Sequence, residues 1–182
     1  MLIILLFCFC SQSVFGRIII DISSNITSYA EKITGAGSNP NKYSNSANRF
    51  SLTSEIDGSG KYRFGFNYEI LSRTYGKDTL SLTNMGPKID MFSGPFYLTL
   101  AWFPYSQGKR KIGADTETIS GWGYLAGVGY VKKITKVLSV GGSFNYASLS
   151  VTKKTTAANV TSKVTESYSF MYPMLEFKLS FR

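Results

Sequence analysis

Large apolar side chains recur at every second position through long stretches of this sequence, and this alternation constrains the fold more than any other feature. The clearest stretch places Tyr62, Phe64, Phe66, Tyr68 and Ile70 on one face and Arg63, Gly65, Asn67, Glu69 and Leu71 on the other. Successive side chains of a β-strand point to opposite faces, whereas a helix repeats about every 3.6 residues. The pattern therefore predicts β-strands, and a chain of 182 residues is expected to form a single domain.

Six segments show the alternation clearly and two show it weakly. The clear segments are 49–56, 62–71, 96–103, 121–130, 138–146 and 175–182, and the weaker ones are 17–34 and 79–92. Tight turns are predicted near 58–60, 93–95 and 133–136, and longer links near 35–47, 75–78, 107–119 and 153–165. Alternating short and long connections are typical of an up-and-down antiparallel barrel, here of about eight strands.

The first sixteen residues, MLIILLFCFCSQSVFG, have the layout of a secretory signal peptide. They carry no charged side chain, they are apolar from Leu2 to Cys10, and Ser13 and Gly16 are small. Cleavage is expected after Gly16, so the segments are a signal peptide at 1–16 and a barrel domain at 17–182. Cys8 and Cys10 both lie in the signal segment, which leaves no disulfide or thiolate metal site for the exported protein.

The composition argues against catalysis. Histidine is absent, which removes the commonest general base and the commonest metal ligand. No Gly-rich phosphate loop follows a strand and opens a helix, so a bound nucleotide is not predicted. The sequence therefore predicts a noncatalytic protein without a cofactor or metal. Its net charge of +9 favours anionic lipid or saccharide partners over nucleic acid, because the chain is expected to be exported.

The two faces of the predicted strands differ in a way that favours a membrane barrel over a soluble one. An eight-stranded barrel has little interior room, so a bulky aromatic or leucine at nearly every inward position would overfill it. Cations facing lipid at the bilayer midplane would each cost roughly 2–4 kcal/mol. The bulky face is therefore predicted to contact lipid and the polar face to line the interior. An exported, soluble ligand-binding barrel remains the alternative.

Three groups of residues are assigned roles by this orientation. An interior charge network is predicted from Arg49, Glu55, Arg63, Glu69, Lys88, Asp90, Glu176 and Lys178, with a polar path for ions as the alternative. Aromatic girdle positions at the membrane surfaces are predicted at Tyr62, Trp102, Tyr105, Trp122, Tyr130 and Tyr146. Basic residues of the longer links are expected to contact lipopolysaccharide phosphates or to be simply solvated: Lys109, Arg110, Lys111, Lys153 and Lys154.

The last strand changes phase near Pro173. Its downstream apolar residues (Leu175, Phe177, Leu179 and Phe181) are odd-numbered, whereas the upstream aromatics Tyr168, Phe170 and Tyr172 are even-numbered. A bulge at Pro173 would let both sets face outward, since proline cannot donate a ladder hydrogen bond. The alternative is a regular strand whose upstream aromatics point inward as a plug or stand above the bilayer.

In strand number, connection pattern and alternating aromatic C-terminal strand, the chain resembles the small bacterial outer-membrane proteins of the OmpA/OmpX kind. The resemblance implies an outer-membrane location, insertion by the barrel-assembly machinery and a monomeric state. It implies a structural or surface-interaction role through the links 35–47, 107–119 and 153–165, and a narrow pore for small solutes is the alternative. Such proteins usually end on phenylalanine, whereas here Arg182 follows Phe181.

Overall fold

The structure, a computed structural model, describes residues 16–25, 31–34, 44–56, 58–75 and 77–181. The predicted signal peptide, Gly16 excepted, and most of the predicted link 35–47 lie outside these residues. The described residues form β1 (Ile18–Asn25), β2 (Glu31–Thr34), β3 (Ser44–Glu55), β4 (Tyr62–Tyr75), β5 (Asp78–Ser93), β6 (Phe96–Ile112), β7 (Asp115–Lys133), β8 (Leu138–Thr156) and β9 (Thr161–Phe181). Among them, no helix is long and apolar enough to cross a membrane.

The strands pair in one closed antiparallel ring. From β3 to β9 each strand pairs with the next one along the chain, and β1 closes the ring by pairing with both β3 and β9. β2 pairs with β9 immediately beyond β1, so β1 and β2 share one position in the ring. The described strands thus occupy eight positions, which confirms the predicted up-and-down barrel.

The connections differ from prediction at one end of the barrel. We call the end that carries Gly16 and Phe181 the proximal end, and the opposite end distal. The proximal turns lie where predicted, and Gly94 (φ 60°) takes the first central position of a two-residue hairpin turn, where glycine meets no steric cost. The predicted distal links 107–119 and 153–165 are wrong. They are mostly strand, joined only by residues 113–114 and 157–160.

An apolar belt surrounds the proximal part of the barrel. In β4 the outward residues are apolar from Tyr62 to Ile70, in β6 from Phe96 to Tyr105 and in β7 from Trp122 to Tyr130. These spans of nine or ten residues match the length with which a tilted strand crosses a bilayer, about 9–11 residues. The exposed large side chains of the belt are Ile18, Ile22, Phe50, Leu52, Ile56, Tyr62, Phe64, Phe66, Tyr68, Phe96, Leu98, Leu100, Trp102, Tyr105, Trp122, Tyr124, Val128, Tyr130, Phe144, Met171, Leu175, Phe177 and Phe181.

Beyond the belt, the polarity of the two faces reverses. The outward residues of β4 and β5 become Ser and Thr (Ser72, Thr74, Thr79, Ser81 and Thr83), and those of β8 and β9 become Ser148, Ser150, Ser167 and Ser169. The buried apolar residues form a distal core that begins inside the distal half of the belt and continues beyond it: Ala47, Leu71, Leu80, Leu82, Ala101, Phe103, Ile119, Leu125, Ala147, Leu149, Val151, Tyr168, Phe170, Tyr172 and Met174. The distal part is thus built like a water-soluble barrel, and the proximal part has the opposite polarity.

The predicted bulge at Pro173 is wrong. β8 and β9 pair without a register shift from Leu138↔Leu179 to Val151↔Glu166, and Phe170 and Tyr172 are buried in the interior. The upstream aromatics point inward because they belong to the distal core.

A register shift does occur at another proline, in β6. Four residues of β5, Met85 to Lys88, oppose five residues of β6, Ala101 to Tyr105. Pro104 and Tyr105 are consecutive exposed residues, so the extra residue switches the inward positions from odd to even numbers.

Candidate functional site

The proximal interior holds a chain of buried charges that alternate in sign. We call it the ion chain, and its members are, in order of contact, Arg49, Glu176, Lys178, Asp21, Lys88 and Asp90. Their side chains are at most 3% exposed. Three cations and three anions give no net charge, so every buried member has an opposite charge beside it, as burial demands.

Asp21, on β1, is the bridge between two lysines. Its Oδ2 lies 2.6 Å from Nζ of Lys178 and 3.5 Å from Nζ of Lys88. Its other oxygen, Oδ1, accepts a hydrogen bond of 2.8 Å from Ser23 Oγ. Lys88 continues the chain to Asp90 Oδ2 at 3.3 Å. A single carboxylate therefore joins strands β1, β5 and β9 across the interior.

Glu176, on β9, is the most heavily bonded member. Its Oε1 lies 2.7 Å from Arg49 Nη2 and accepts a hydrogen bond of 2.6 Å from Ser143 Oγ. Its Oε2 lies 3.1 Å from Lys178 Nζ and accepts a hydrogen bond from the Tyr97 hydroxyl. The Lys178 ammonium also sits over the Tyr97 ring, 4.4 Å from its centroid. These contacts fix the Glu176 carboxylate from four strands.

The structure brings together five of the eight residues assigned to the interior network and places three elsewhere. Arg63 and Glu55 form a separate pair near the proximal rim, with 3.7 Å between Nη2 and Oε1, and the Arg63 guanidinium stacks on Phe92. Glu69 is buried directly opposite Arg49 across the β3–β4 ladder, but it accepts its hydrogen bonds from the Tyr172 hydroxyl at 2.7 Å and from Asn84 at 3.4 Å. The ion chain contains Arg49, Lys88, Asp90, Glu176 and Lys178.

Sequence reasoning missed Asp21 and Tyr97. The signal for Asp21 was present, since Ile18, Ile20 and Ile22 face outward and the alternation places Asp21 inward. Tyr97 lies on the inward face of β6, and the glycines opposite it were the available clue. A Cβ on Gly129 would lie 2.3 Å from the Tyr97 ring, so only glycine leaves room for this tyrosine.

A second ionic cluster lies at the distal end of the interior. Arg110, on β6, is buried, and its Nη2 lies 2.7 Å from Glu117 Oε2. Its Nη1 pairs with Glu166 and donates a hydrogen bond of 2.7 Å to the Tyr168 hydroxyl. Lys154 pairs with the second oxygen of Glu117. We call these five residues the distal clamp, which links strands β6 to β9.

The distal clamp engages two of the basic residues that were predicted to contact an external partner. Arg110 points inward and is fully engaged, so the expectation that it contacts an external partner is wrong. Lys154 is also engaged in the clamp, whereas Lys109, Lys111 and Lys153 are exposed. Although burial opposes it, hydrogen bonds from Lys154 and Arg110 hold the pKa of Glu117 below its usual value. Glu117 of the distal clamp therefore stays negatively charged at mildly acidic pH.

The three buried layers of the interior join the strands of the barrel. The ion chain, the distal core and the distal clamp succeed one another along the barrel axis, and each is held by side chains from several strands. Among the described residues no group of three or more His, Cys, Asp or Glu could hold a metal ion.

Comparisons with known proteins identify the fold. No family model matches the sequence, and no curated protein matches it significantly. The crystal structure of Neisserial surface protein A (NspA) aligns with a TM-score of 0.55 at 16% identity, covering 91% of this chain and 97% of that one. The outer membrane protease OmpT from Escherichia coli gives a TM-score of 0.39 at 10% identity, covering 92% and 94% of the two chains. OmpT, an outer membrane protein of Vibrio cholerae, gives 0.34 at 13% identity, covering 92% of this chain and 53% of that one.

The last two values lie below the level that indicates a shared fold, whereas the alignment with NspA spans nearly the whole of both chains. It agrees with the closed antiparallel ring of the described strands. The chain has the fold of the small β-barrels of bacterial outer membranes.

Proposed function

We propose that this protein resides in the bacterial outer membrane as a noncatalytic, non-conducting barrel that presents its distal hairpins at the cell surface. The observation that carries the proposal is the reversal of polarity along the barrel. An apolar belt around a charged interior suits a bilayer, and a polar exterior around an apolar core suits water. The boundary between the two carries Trp102, Tyr105 and Trp122, which suit the headgroup level.

A structural or surface-interaction role follows from the way in which the interior is filled. The ion chain and the distal core fill successive levels of the interior with buried side chains, which supports a structural role over conduction in a barrel of this size. Histidine is absent, and the buried carboxylates are engaged by cations or hydrogen-bond donors. Insertion by the barrel-assembly machinery and a monomeric state are part of this proposal.

The proposal is tested by where the protein fractionates and what it conducts. We expect it to sediment with outer membranes and to migrate faster in unheated than in heated detergent gels, because a closed strand ladder resists detergent. Recovery in the soluble fraction would refute the membrane location. In planar bilayers the purified protein is expected to give no steady conductance, with an established porin as the positive control. Large stable channels would support the narrow-pore alternative instead.

Lipopolysaccharide phosphates are the surface partners that we propose. Lys109 and Lys111 point outward on β6, distal to Tyr105, and Lys153 lies directly opposite Lys163 across the β8–β9 ladder. Like charges that face each other on a sheet are unfavourable unless an anion lies between them.

We expect the variant carrying Lys109→Gln, Lys111→Gln and Lys153→Gln to co-purify with several-fold less lipopolysaccharide than the parent. The barrel itself should still migrate as the folded form in unheated gels. Lys132→Gln with Lys133→Gln, at the proximal end, is the matched control and should leave the amount unchanged. Equal amounts in all three proteins would contradict the proposed partner.

A further inference from the structure

The connection between β7 and β8 forms a small, well-ordered structure at the proximal end. The backbone N–H groups of Ile134 and Thr135 both donate to the carbonyl of Leu138, at 2.9 and 3.0 Å. The Thr135 hydroxyl accepts hydrogen bonds from the N–H groups of Val137 and Leu138, at 3.2 and 2.9 Å. We call residues 132–137 the basic turn. The backbone shape of the turn is set by its own hydrogen bonds.

The basic turn combines cations with exposed aliphatic side chains. Lys132, Lys133 and Lys136 are exposed, and no described acidic residue forms a salt bridge with them. Ile134 is 56% exposed and Val137 is 45% exposed, although neither belongs to a strand. Three cations without a salt bridge to any described acidic residue, beside two aliphatic side chains, match a surface that is anionic on one side and apolar on the other.

The position of the basic turn points to the same kind of surface. It directly follows the proximal edge of the apolar belt, where Tyr130 packs edge-on against Phe96 with 5.3 Å between ring centroids. Val137 accepts a backbone hydrogen bond of 2.8 Å from Ser180, next to the belt residue Phe181. In a bilayer that fits the belt, the lysines of the turn would therefore lie at the level of the lipid phosphates.

From this geometry we infer that the basic turn binds the anionic headgroups of phospholipids in the proximal leaflet. The lysines contact the phosphates, while Ile134 and Val137 reach the start of the acyl chains. The contact anchors one side of the barrel at a fixed depth and enriches anionic lipid there. This inference rests on the proposed membrane location and adds a lipid preference to it.

A single-tryptophan reporter can test the lipid preference at this end of the barrel. The protein has two tryptophans, Trp102 and Trp122, both near the distal edge of the belt. The reporter protein carries Trp102→Phe, Trp122→Phe and Tyr130→Trp, and folding is checked by migration in unheated gels. It is reconstituted into phosphatidylcholine vesicles that contain a fixed fraction of either brominated phosphatidylglycerol or brominated phosphatidylcholine, and the two lipids are compared by fluorescence quenching.

At low salt, brominated phosphatidylglycerol is expected to quench the reporter about fivefold more strongly than brominated phosphatidylcholine. This quenching preference corresponds to about one cation held near a charged surface. The preference should fall to about one when Lys132→Gln, Lys133→Gln and Lys136→Gln are added, and it should shrink at high salt. A distal control with Lys109→Gln, Lys111→Gln and Lys163→Gln should keep it.

The outcomes separate this inference from the proposed function. Equal quenching by the two brominated lipids, or a preference that survives removal of the three lysines, would overturn the lipid-binding role of the turn and leave the membrane location intact. Absence of quenching by either lipid in the folded reporter would overturn the membrane location itself.

Discussion

Replacement of Asp21 by asparagine is expected to lower the free energy of unfolding by about 3–5 kcal/mol. Asp21 is the shared partner of Lys178 and Lys88, and all three side chains are at most 2% exposed. The amide is nearly the same size as the carboxylate, so packing is preserved and the loss is electrostatic. Two buried ammonium groups would then depend on Asp90 and Glu176 alone.

The effect of Asp21→Asn can be measured by urea unfolding of the refolded protein in lipid vesicles. Asp115→Asn is the matched control, because Asp115 is exposed in the distal turn region and should change stability by less than about 0.5 kcal/mol. In the double variant Asp21→Asn with Lys178→Met, the remaining Arg49–Glu176 and Lys88–Asp90 pairs are balanced, so part of the loss should be recovered. Equal midpoints for Asp21→Asn and Asp115→Asn would show that the ion chain contributes no stability.

An arginine introduced into the apolar belt is expected to be costly, and the same change beyond the belt is expected to be cheap. Phe66 and Ser72 lie on the same outward face of β4, but Phe66 lies inside the belt and Ser72 lies distal to it. Phe66→Arg should destabilise the inserted barrel by about 2–4 kcal/mol, and Ser72→Arg by at most about 1 kcal/mol. The difference reflects the depth of each position in the bilayer, since strand and facing are the same.

Folding yield into vesicles and urea unfolding would both report this difference. Phe66→Leu serves as a further control, because it keeps the position apolar while changing its size. A soluble barrel predicts small effects at both positions, since Phe66 and Ser72 would then both be exposed to water. Equal effects of Phe66→Arg and Ser72→Arg would therefore contradict the assignment of the belt to lipid.

The sequence predicted the closed barrel and the facing of its proximal half because both depend on a local rule. Period-two alternation places Phe66 outward and Asn67 inward whatever the rest of the chain does, and the structure agrees in β4, β6 and β7. Charged residues on the inward face, such as Lys88 and Glu176, could be found in the same way. Their individual partners could not, because pairing across a ring depends on strand register.

The reversal of polarity at the distal end was not predicted, because alternation identifies two faces but does not say which one is inside. Tyr168 and Phe170 were therefore assigned to lipid by their chemistry, and a bulge was required to reconcile them with Leu175. The actual bulge at Pro104 left a weaker trace in the sequence. The long distal links were mistaken for loops because the serines, threonines and lysines on their outer face resemble loop composition.

β9 contributes to every layer of the interior. It supplies Glu166 to the distal clamp, Phe170 to the distal core and Lys178 to the ion chain, and it also pairs with β1 to close the ring. The Lys178–Asp21 contact joins residues 157 positions apart. Until β9 docks, Asp21 and Arg49 lack their closest partners and the ring has two open edges, so no partly assembled stage approaches the native state in stability. We therefore expect closure of the ring to wait for β9 and, because long-range closure is slow, to be a late step of assembly.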